Sequence, residues 1–245
     1  MSRLFTNFIF LCLLTGIAGA AGQADRTAIK VGEFSLESPG ERLPDGWQAL
    51  TFRKIDSHSR YRLIGDDGVT VVEASSHAAA SGLIRKIHID PEVYPKVKWR
   101  WKVANLIAGS DVSSKQGDDY PVRLYITFAY DENKLSLYEK VKYNAYRLIY
   151  GENPPLAAIS YLWSTQSPQG TLVPNAYTDR VMMFVVQSGP DRLNEWVEQE
   201  RNVYQDYLRA YGEPPPPISG VAIMTDTDNT GEQAVAYYGD IVFTK

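Results

Sequence analysis

The stretch at residues 220–243, GVAIMTDTDNTGEQAVAYYGDIVF, determines the fold prediction. Val221, Ile223 and Thr225 alternate with Ala222, Met224 and Asp226, and the pattern resumes with Val235, Tyr237, Ile241 and Phe243, as in β-strands. A polar segment that contains Gly231 separates the two halves. Alternation on both sides of a glycine-containing turn predicts two adjacent antiparallel strands.

The turn between these strands is rich in oxygen-bearing side chains. Asp226, Asp228, Thr230 and Gly231 follow the spacing of positions 1, 3, 5 and 6 in a calcium loop. Position 12, which should supply a bidentate glutamate, is Tyr237, so a complete helix–loop–helix calcium site is excluded. Two interpretations remain. Asp226, Asp228 and Thr230 hold calcium in a partial oxygen cluster, or the aspartates form Asx turns that cap the turn.

The first twenty residues have the pattern of a secretory signal peptide. Arg3 precedes an apolar run, and the small residues Ala18-Gly19-Ala20 follow it. Cys12 lies inside the run, so the chain after the predicted cleavage contains no cysteine. An export signal without a disulfide framework predicts a bacterial periplasmic or secreted protein whose fold depends on its core.

Composition narrows the class of protein. Cleavage after residue 20 removes one of 25 basic residues and none of 29 acidic ones, which changes the formal charge from −4 to −5. This negative charge disfavours nucleic acid as a partner, and no later segment has the length of a membrane span. Because no low-complexity linker divides the chain, we expect a flexible leader at residues 21–30 and one domain at residues 31–245.

Short segments with strand-like alternation make up most of the chain. Residues 98–103 alternate without exception, and residues 122–128 place Arg123 and Tyr125 opposite an apolar face. We therefore expect Arg123 and Tyr125 to point outward or into a cleft. Further strands are predicted at residues 31–36, 61–64, 69–74, 82–89, 158–164 and 180–187, with a hairpin turn at residues 65–68.

Two segments change to a helical period. Residues 135–150 repeat apolar side chains every three or four positions, and so do residues 193–211, with Gly151 and Gly212 as the stops. The chain has many strands and two helices, but strands and helices do not alternate regularly along it, and this order predicts a mainly β fold. The predicted architecture is an antiparallel jelly-roll-type β-sandwich with two helical insertions.

Missing motifs exclude several classes of enzyme. The chain has no glycine-rich phosphate loop, no cysteine pair, no nucleophile elbow and no histidine pair spaced for zinc. The polar and aromatic residues that remain are mainly Trp, Tyr, Arg, Asp and Asn. On a β-sandwich, such residues suit the apolar faces and hydroxyls of a carbohydrate.

Several short motifs together carry a family resemblance. They are Trp99-Arg100-Trp101, Gly117-Asp118-Asp119-Tyr120 with Arg123, Tyr161 with Trp163, Trp196 with Arg201-Asn202-Val203 and Asp206-Tyr207, and residues 226–231. As a set they resemble a family of exported bacterial proteins known only as a domain of unknown function. The likeness implies one domain and no particular activity. Residues 236–241 also resemble the last strand of galactose-binding-like jelly rolls, a superfamily that includes many carbohydrate-binding modules.

The first functional hypothesis is a periplasmic module that binds an oligosaccharide or polysaccharide without cleaving it. The aromatic and polar residues on predicted strand faces and in the acidic turn supply the contacts. These candidate contacts are Asp119, Arg123, Tyr125, Trp163, Arg201, Asp226, Asp228 and Asn229.

Two other hypotheses come from different classes. A polysaccharide lyase or glycoside hydrolase would use Arg123 to neutralise a uronate and Tyr125 or Tyr161 as acid or base, or would pair Asp119 with Asp226. The third hypothesis is a non-catalytic structural or interaction protein of the cell envelope. Such a protein would bury Arg201 against an aspartate, either Asp206 or Asp119.

Overall fold

A computed structural model describes residues 27–129 and 157–245, which form two β-sheets around a shared apolar core. The strands are β1 (Ala28–Gly32), β2 (Gln48–Leu50), β3 (Arg60–Asp66), β4 (Val69–His77), β5 (Ala80–Ile89), β6 (Lys96–Val103), β7 (Arg123–Phe128), β8 (Ala158–Ser164), β9 (Leu172–Asn175), β10 (Thr178–Ser188), β11 (Val197–Asn202), β12 (Ile218–Asp226) and β13 (Gln233–Thr244). A 3₁₀ turn covers Phe34–Leu36, and the helix α1 covers Val203–Tyr211. The prediction of a mainly β sandwich is therefore confirmed.

The two sheets differ in size and in strand direction. The six-stranded sheet has the order β11-β6-β13-β4-β3, and β1 adds to the second half of β13. The seven-stranded sheet has the order β2-β5-β12-β7-β8-β10-β9. Neighbouring strands are antiparallel except for β8 and β10, which are parallel. None of the helices in the described parts of the chain is long and apolar enough to cross a membrane.

The stretch at residues 220–243 forms two strands but not the predicted hairpin. β12 lies between β5 and β7 in the seven-stranded sheet, whereas β13 pairs with β4, β6 and β1 in the other sheet. Each strand therefore has neighbours on both sides, and the loop at residues 227–232 crosses between the sheets. Alternation predicts which face a side chain occupies, but it does not determine the partner strand.

The predicted hairpin at β3 and β4 is confirmed. Asp66 pairs with Val69 across a two-residue turn. The turn residues, Asp67 and Gly68, have φ angles of 50° and 79°. Positive φ at both positions matches the twist of the flanking strands, which is why an Asp-Gly turn indicates a hairpin more reliably than a longer loop does.

The helix predicted at residues 193–211 is wrong in its first part, because a strand precedes a shorter helix there. Val197–Asn202 is β11 and pairs with β6, where Glu200 binds Lys98 across the strands with an Nζ–Oε2 distance of 2.7 Å. α1 begins only after Asn202, whose side chain accepts the backbone N–H of Gln205. Edge pairing with β6 overrides the helical pattern here. The other predicted helix, at residues 135–150, lies outside the described residues.

Core packing leaves the outer face of the seven-stranded sheet available for a site. Leu124 and Ile223 point into the main core, so the alternate residues of β7 and β12, Arg123 and Met224 among them, lie on the outer face of the seven-stranded sheet. Part of that face carries a second apolar cluster, beneath residues 112–120. The rest of the face forms the floor of a pocket.

Candidate functional site

The pocket on the outer face of the seven-stranded sheet has a volume of about 530 Å³. Its floor includes Arg123 and Tyr125 from β7 and Met224 and Asp226 from β12. The walls are completed by residues outside these two strands: Phe52, Arg53, Lys54 and Ile55 after β2, Asn175 at the end of β9, Tyr177 just before β10, and Asp228 and Asn229 after β12. Rigid strands thus supply the floor, and loop residues supply most of the walls.

Arg123 is fully engaged by protein groups. Its Nε donates to Oδ1 of Asp226 over 3.0 Å, and Nη1 donates to Oδ1 of Asp118 and to the hydroxyl oxygen of Tyr125, each over 3.1 Å. Nη2 donates to Oδ2 of Asp226 and to the backbone carbonyl of Asp118. A guanidinium has five N–H donors, so all five are used. Arg123, with 2% of its surface exposed, organises the floor and has no donor left for a ligand.

Asp119 fixes the loop that follows β12. This buried carboxylate accepts from the backbone N–H and the side-chain amide of Asn229, and from the backbone N–H of Thr230 over 2.7 Å. Gly231, at φ 73°, allows the chain to turn toward β13. Asp119 therefore acts as a side-chain cap for the loop.

Three carboxylates meet at the edge of the pocket. Asp119, Asp226 and Asp228 each present one oxygen, and these oxygens lie within 4.8 Å of one another. The hydroxyl oxygen of Thr230, the third predicted calcium ligand, instead accepts the backbone N–H of Glu232 over 3.3 Å. The oxygens of the three aspartates are those that could approach a cation, and calcium binding stays a prediction.

Burial and crowding of acids shift several pKa values. Burial raises the pKa of Asp226 to about 8; the positive charge of Arg123 opposes this change, and the carboxylates of Asp119 and Asp118 reinforce it. Burial and Asp119 also raise the pKa of Asp228. Both oxygens of Asp226 accept hydrogen bonds, as in an ionised carboxylate.

Two hydroxyl groups of tyrosines face the pocket from different depths. Burial raises the pKa of Tyr125 to about 12, so this phenol keeps its proton at neutral pH while its oxygen accepts from Arg123. Tyr177 is 55% exposed, and its hydroxyl donates to Oδ1 of Asn229 over 2.6 Å. Asn175 holds the other side of this turn, accepting the N–H of Tyr177 and donating to Oδ2 of Asp118.

The structure places the candidate residues in two groups. Asp119, Arg123, Tyr125, Asp226, Asp228 and Asn229 come together at the pocket. Trp163 is instead enclosed, and its Nε1 donates to the carbonyl of Gly189 over 3.0 Å. Trp163 therefore offers no stacking surface to a ligand.

Arg201 and Tyr161 also lie outside the pocket. Nε of Arg201 donates to Oδ2 of Asp206 over 2.9 Å, and the buried hydroxyl of Tyr161 donates to the same oxygen over 2.8 Å. These contacts join β11 and β8 to α1. The pairing of Arg201 with Asp206 is the one expected for a structural role.

Sequence reasoning missed several pocket residues. Phe52, Arg53, Lys54 and Tyr177 lie in loops, where hydrophobic periodicity carries no signal. The available signal was the polar run around Tyr177, which marks a turn between strands. That run could predict an exposed aromatic residue, but not the surface beside it.

Residues 45–242 match the family model described as "Protein of unknown function (DUF3047)". The chain therefore belongs to this family, which confirms the resemblance found in its motifs. A curated relative, the lycopene elongase/hydratase of Haloferax volcanii, is 29% identical over 130 residues. This match covers 52% of the chain and 38% of the relative, so the chain spans well under half of that protein's length.

Two solved structures show how distant the structural likenesses are. A family 12 xyloglucanase from Bacillus licheniformis has a TM-score of 0.44 and 8% identity, over 89% of this chain and 100% of the other. The family 30 carbohydrate-binding module of a cellulosomal cellulase of Clostridium thermocellum has a TM-score of 0.39 and 10% identity, over 89% and 97%. Likenesses at these TM-scores carry no information about a ligand.

Proposed function

We propose that this protein is a periplasmic or secreted glycan-binding module of jelly-roll type that holds an oligosaccharide in the pocket beside Tyr177 without cleaving it. The observation that carries the proposal is the exposed ring of Tyr177, which lines a pocket that also contains hydroxyl, amide and carboxylate groups. A sugar ring presents C–H faces and a hydroxyl edge, so it needs both kinds of surface.

The apolar part of the pocket suits the faces of sugar rings. Phe52 and Ile55 on one loop, Val181 on β10 and Met224 on the floor lie in the same pocket as Tyr177. Lys115 covers part of the Tyr177 ring, with Nζ 5.2 Å from the ring centroid. A volume of about 530 Å³ falls within the usual range for small-ligand pockets.

The polar part of the pocket suits hydroxyl groups. Asp228 is partly buried, and among the residues of the two described segments it has no cationic partner. Its Oδ1 accepts from the side-chain amide of Asn229 over 3.4 Å, and the carboxylate has further lone pairs that can accept from sugar hydroxyls. Tyr125 accepts from Arg123 through its oxygen and keeps a proton that it can donate to a ligand.

The carboxylates of the pocket favour binding over catalysis. Asp118 and Asp226 accept from Arg123, and Asp119 accepts from the loop at residues 229–230. Only Asp228 combines access to the pocket with oxygens that have no strong donor in the described structure. Glycoside hydrolysis by the common routes needs two available carboxyl groups, one on each side of the scissile bond.

One observation favours the alternative of a polysaccharide lyase or glycoside hydrolase. Burial and Asp119 raise the pKa of Asp228, a change that would suit a general acid in the pocket. Under this alternative, a bound oligosaccharide would be cleaved, and Asp228→Asn would abolish cleavage while retaining binding.

The experiment is a thermal-shift screen of the purified chain against neutral and acidic oligosaccharides, followed by calorimetry on the glycans that raise Tm. We expect Tyr177→Ala to weaken binding about tenfold, roughly 1.4 kcal/mol, because it removes the exposed ring. Tyr204→Ala, on the outer side of α1, is the matched control and should leave Kd unchanged.

Three outcomes distinguish the hypotheses. Binding without new reducing ends or unsaturated products supports the module. Product formation that Asp228→Asn abolishes would replace it with the enzyme. Failure of every glycan to raise Tm would reject glycan binding in favour of the structural or interaction protein.

A further inference from the structure

The charges of the pocket are separated between its floor and one wall. At the floor and the adjoining loop, Asp118, Asp226 and Asp228 are balanced by one guanidinium, that of Arg123. On the loop after β2, two basic side chains, Arg53 and Lys54, line the same pocket and are exposed. Within residues 27–129 and 157–245, neither basic side chain has an ion-pair or hydrogen-bond partner.

This lack of partners distinguishes Arg53 and Lys54 from many other basic residues of the described surface. Many exposed or partly exposed cations there have a carboxylate within 3 Å. The pairs are Lys30–Glu33, Arg42–Asp45, Arg60–Glu41, Arg62–Glu73, Lys98–Glu200, Lys102–Asp66 and Arg192–Glu195. Two adjacent cations without such partners, both lining a pocket, are therefore available to an external anion.

Arg123 cannot be the group that binds this anion. Its donors are all used by Asp118, Asp226 and Tyr125, and 2% of its surface is exposed. An anion at the floor would also face the surplus of carboxylates there. Charge therefore favours an anionic group at the wall formed by Arg53 and Lys54, with uncharged hydroxyls toward the floor.

We propose that the ligand is an anionic glycan, a uronic-acid oligosaccharide, whose carboxylate binds between Arg53 and Lys54. This inference rests on the proposed glycan-binding function and adds the chemical class of the ligand. The guanidinium of Arg53 offers a planar pair of donors to a carboxylate, and the ammonium of Lys54 adds a point charge. Hydroxyls of the same or the next sugar reach Asp228 and Asn229 on the opposite loop.

The test compares each oligouronate with its methyl ester, which keeps the sugar and removes the charge. Probes are galacturonate, mannuronate and glucuronate oligomers, their methyl esters, and a sulfated oligosaccharide. We expect at least one acid to bind about tenfold more tightly than its ester at low salt, with the difference shrinking as salt rises. The sulfated probe separates carboxylate recognition from binding of any anionic glycan.

The variant for this test is Arg53→Gln combined with Lys54→Gln. It should weaken binding of the acid about tenfold and leave binding of the ester within about twofold. Lys30→Gln combined with Arg192→Gln removes the same two charges from exposed sites outside the pocket and should leave both affinities unchanged.

The outcomes separate this inference from the proposed function. Equal affinity for acid and ester would overturn the anionic class of ligand while leaving glycan binding in place. It would also be overturned if the Arg53→Gln, Lys54→Gln variant lost affinity equally for the acid and for its ester. Tighter binding of the sulfated probe than of any uronate would overturn it as well. Absence of binding by any glycan would reject the inference together with the proposed function.

Discussion

Arg123 and Asp226 form a paired contact at the floor of the pocket, with Nε and Nη2 of the guanidinium donating to the two carboxylate oxygens. The contact joins neighbouring regions of the sheet, because Arg123 begins β7 and Asp226 ends β12. Asp118 adds a second carboxylate to the same guanidinium over 3.1 Å. Arg123 therefore holds both aspartates at the floor of the pocket.

Removing the guanidinium should destabilise the fold strongly. Arg123→Met leaves Asp118 and Asp226 buried without their cation, and we expect the free energy of unfolding to fall by about 3–5 kcal/mol. Urea denaturation followed by tryptophan fluorescence measures this change. Arg53→Gln, at an exposed arginine of the same pocket, should change it by less than about 0.5 kcal/mol. If Arg123→Met lowered the free energy of unfolding by no more than Arg53→Gln does, the pair of Arg123 and Asp226 would not organise the floor.

The acidic cluster should make stability depend on pH. Because burial raises the pKa of Asp226 to about 8 and also raises that of Asp228, the folded chain binds protons that the unfolded chain releases above its ordinary pKa of about 4. The stabilisation from these bound protons is therefore complete below about pH 4 and is lost as pH rises through about 8. The urea midpoint should decrease from pH 5.5 to pH 8.5.

A variant tests whether the cluster causes this pH dependence. Asp226→Asn removes the titrating carboxyl, so its urea midpoint should change less between pH 5.5 and pH 8.5 than that of the unmodified chain. Asp45→Asn, at a surface aspartate, should keep the full dependence. The absolute stability of Asp226→Asn is not the readout, because loss of the Arg123 contact lowers it at every pH. A steep fall retained in Asp226→Asn would assign the dependence to other groups.

Strand faces were predictable from sequence, whereas strand partners were not. The alternating pattern correctly predicts that Arg123 and Leu124 lie on opposite faces of the sheet, because successive side chains of a strand point to opposite faces. The Asp67-Gly68 turn also determines its own hairpin. β12 and β13 have no such two-residue turn between them, and each finds partners far away in sequence. Residues 197–202 fit a helix or an edge strand, and only pairing with β6 decides between these structures.

The candidate site was predictable to the extent that its residues lie on strands or in the acidic turn. Asp226 and Asp228 are recognisable because they lie in a turn rich in oxygen-bearing side chains. Arg123 is recognisable because it lies on the face of its strand opposite the apolar residues. Trp163 was misplaced because an aromatic residue on a strand can face the core or a ligand. Tyr177 and Arg53 come from loops distant in sequence, so only the folded chain brings them to the same pocket.

Arg201 should contribute to stability and not to ligand binding. Its guanidinium contacts Asp206 with two donors, and the 8% exposed carboxylate of Asp206 has Tyr161 as a further donor. Arg201→Gln should lower the free energy of unfolding by about 1–3 kcal/mol, because it removes a charged hydrogen-bond partner. The Kd of any glycan that binds beside Tyr177 should stay within about twofold. A tenfold weaker Kd with unchanged stability would bring Arg201 into the binding site.

Tyr177→Phe separates the two roles that the structure gives to this tyrosine. The ring lines the pocket, whereas the hydroxyl donates to Asn229 and so ties the turn before β10 to the loop after β12. If the ring supplies the binding surface, Tyr177→Phe keeps Kd within about threefold, whereas Tyr177→Ala weakens it about tenfold. Calorimetry with one glycan measures both variants. Both variants lack the hydroxyl, and only Tyr177→Ala lacks the ring. Equal losses of affinity in Tyr177→Phe and Tyr177→Ala would therefore mean that binding depends on the position of Asn229.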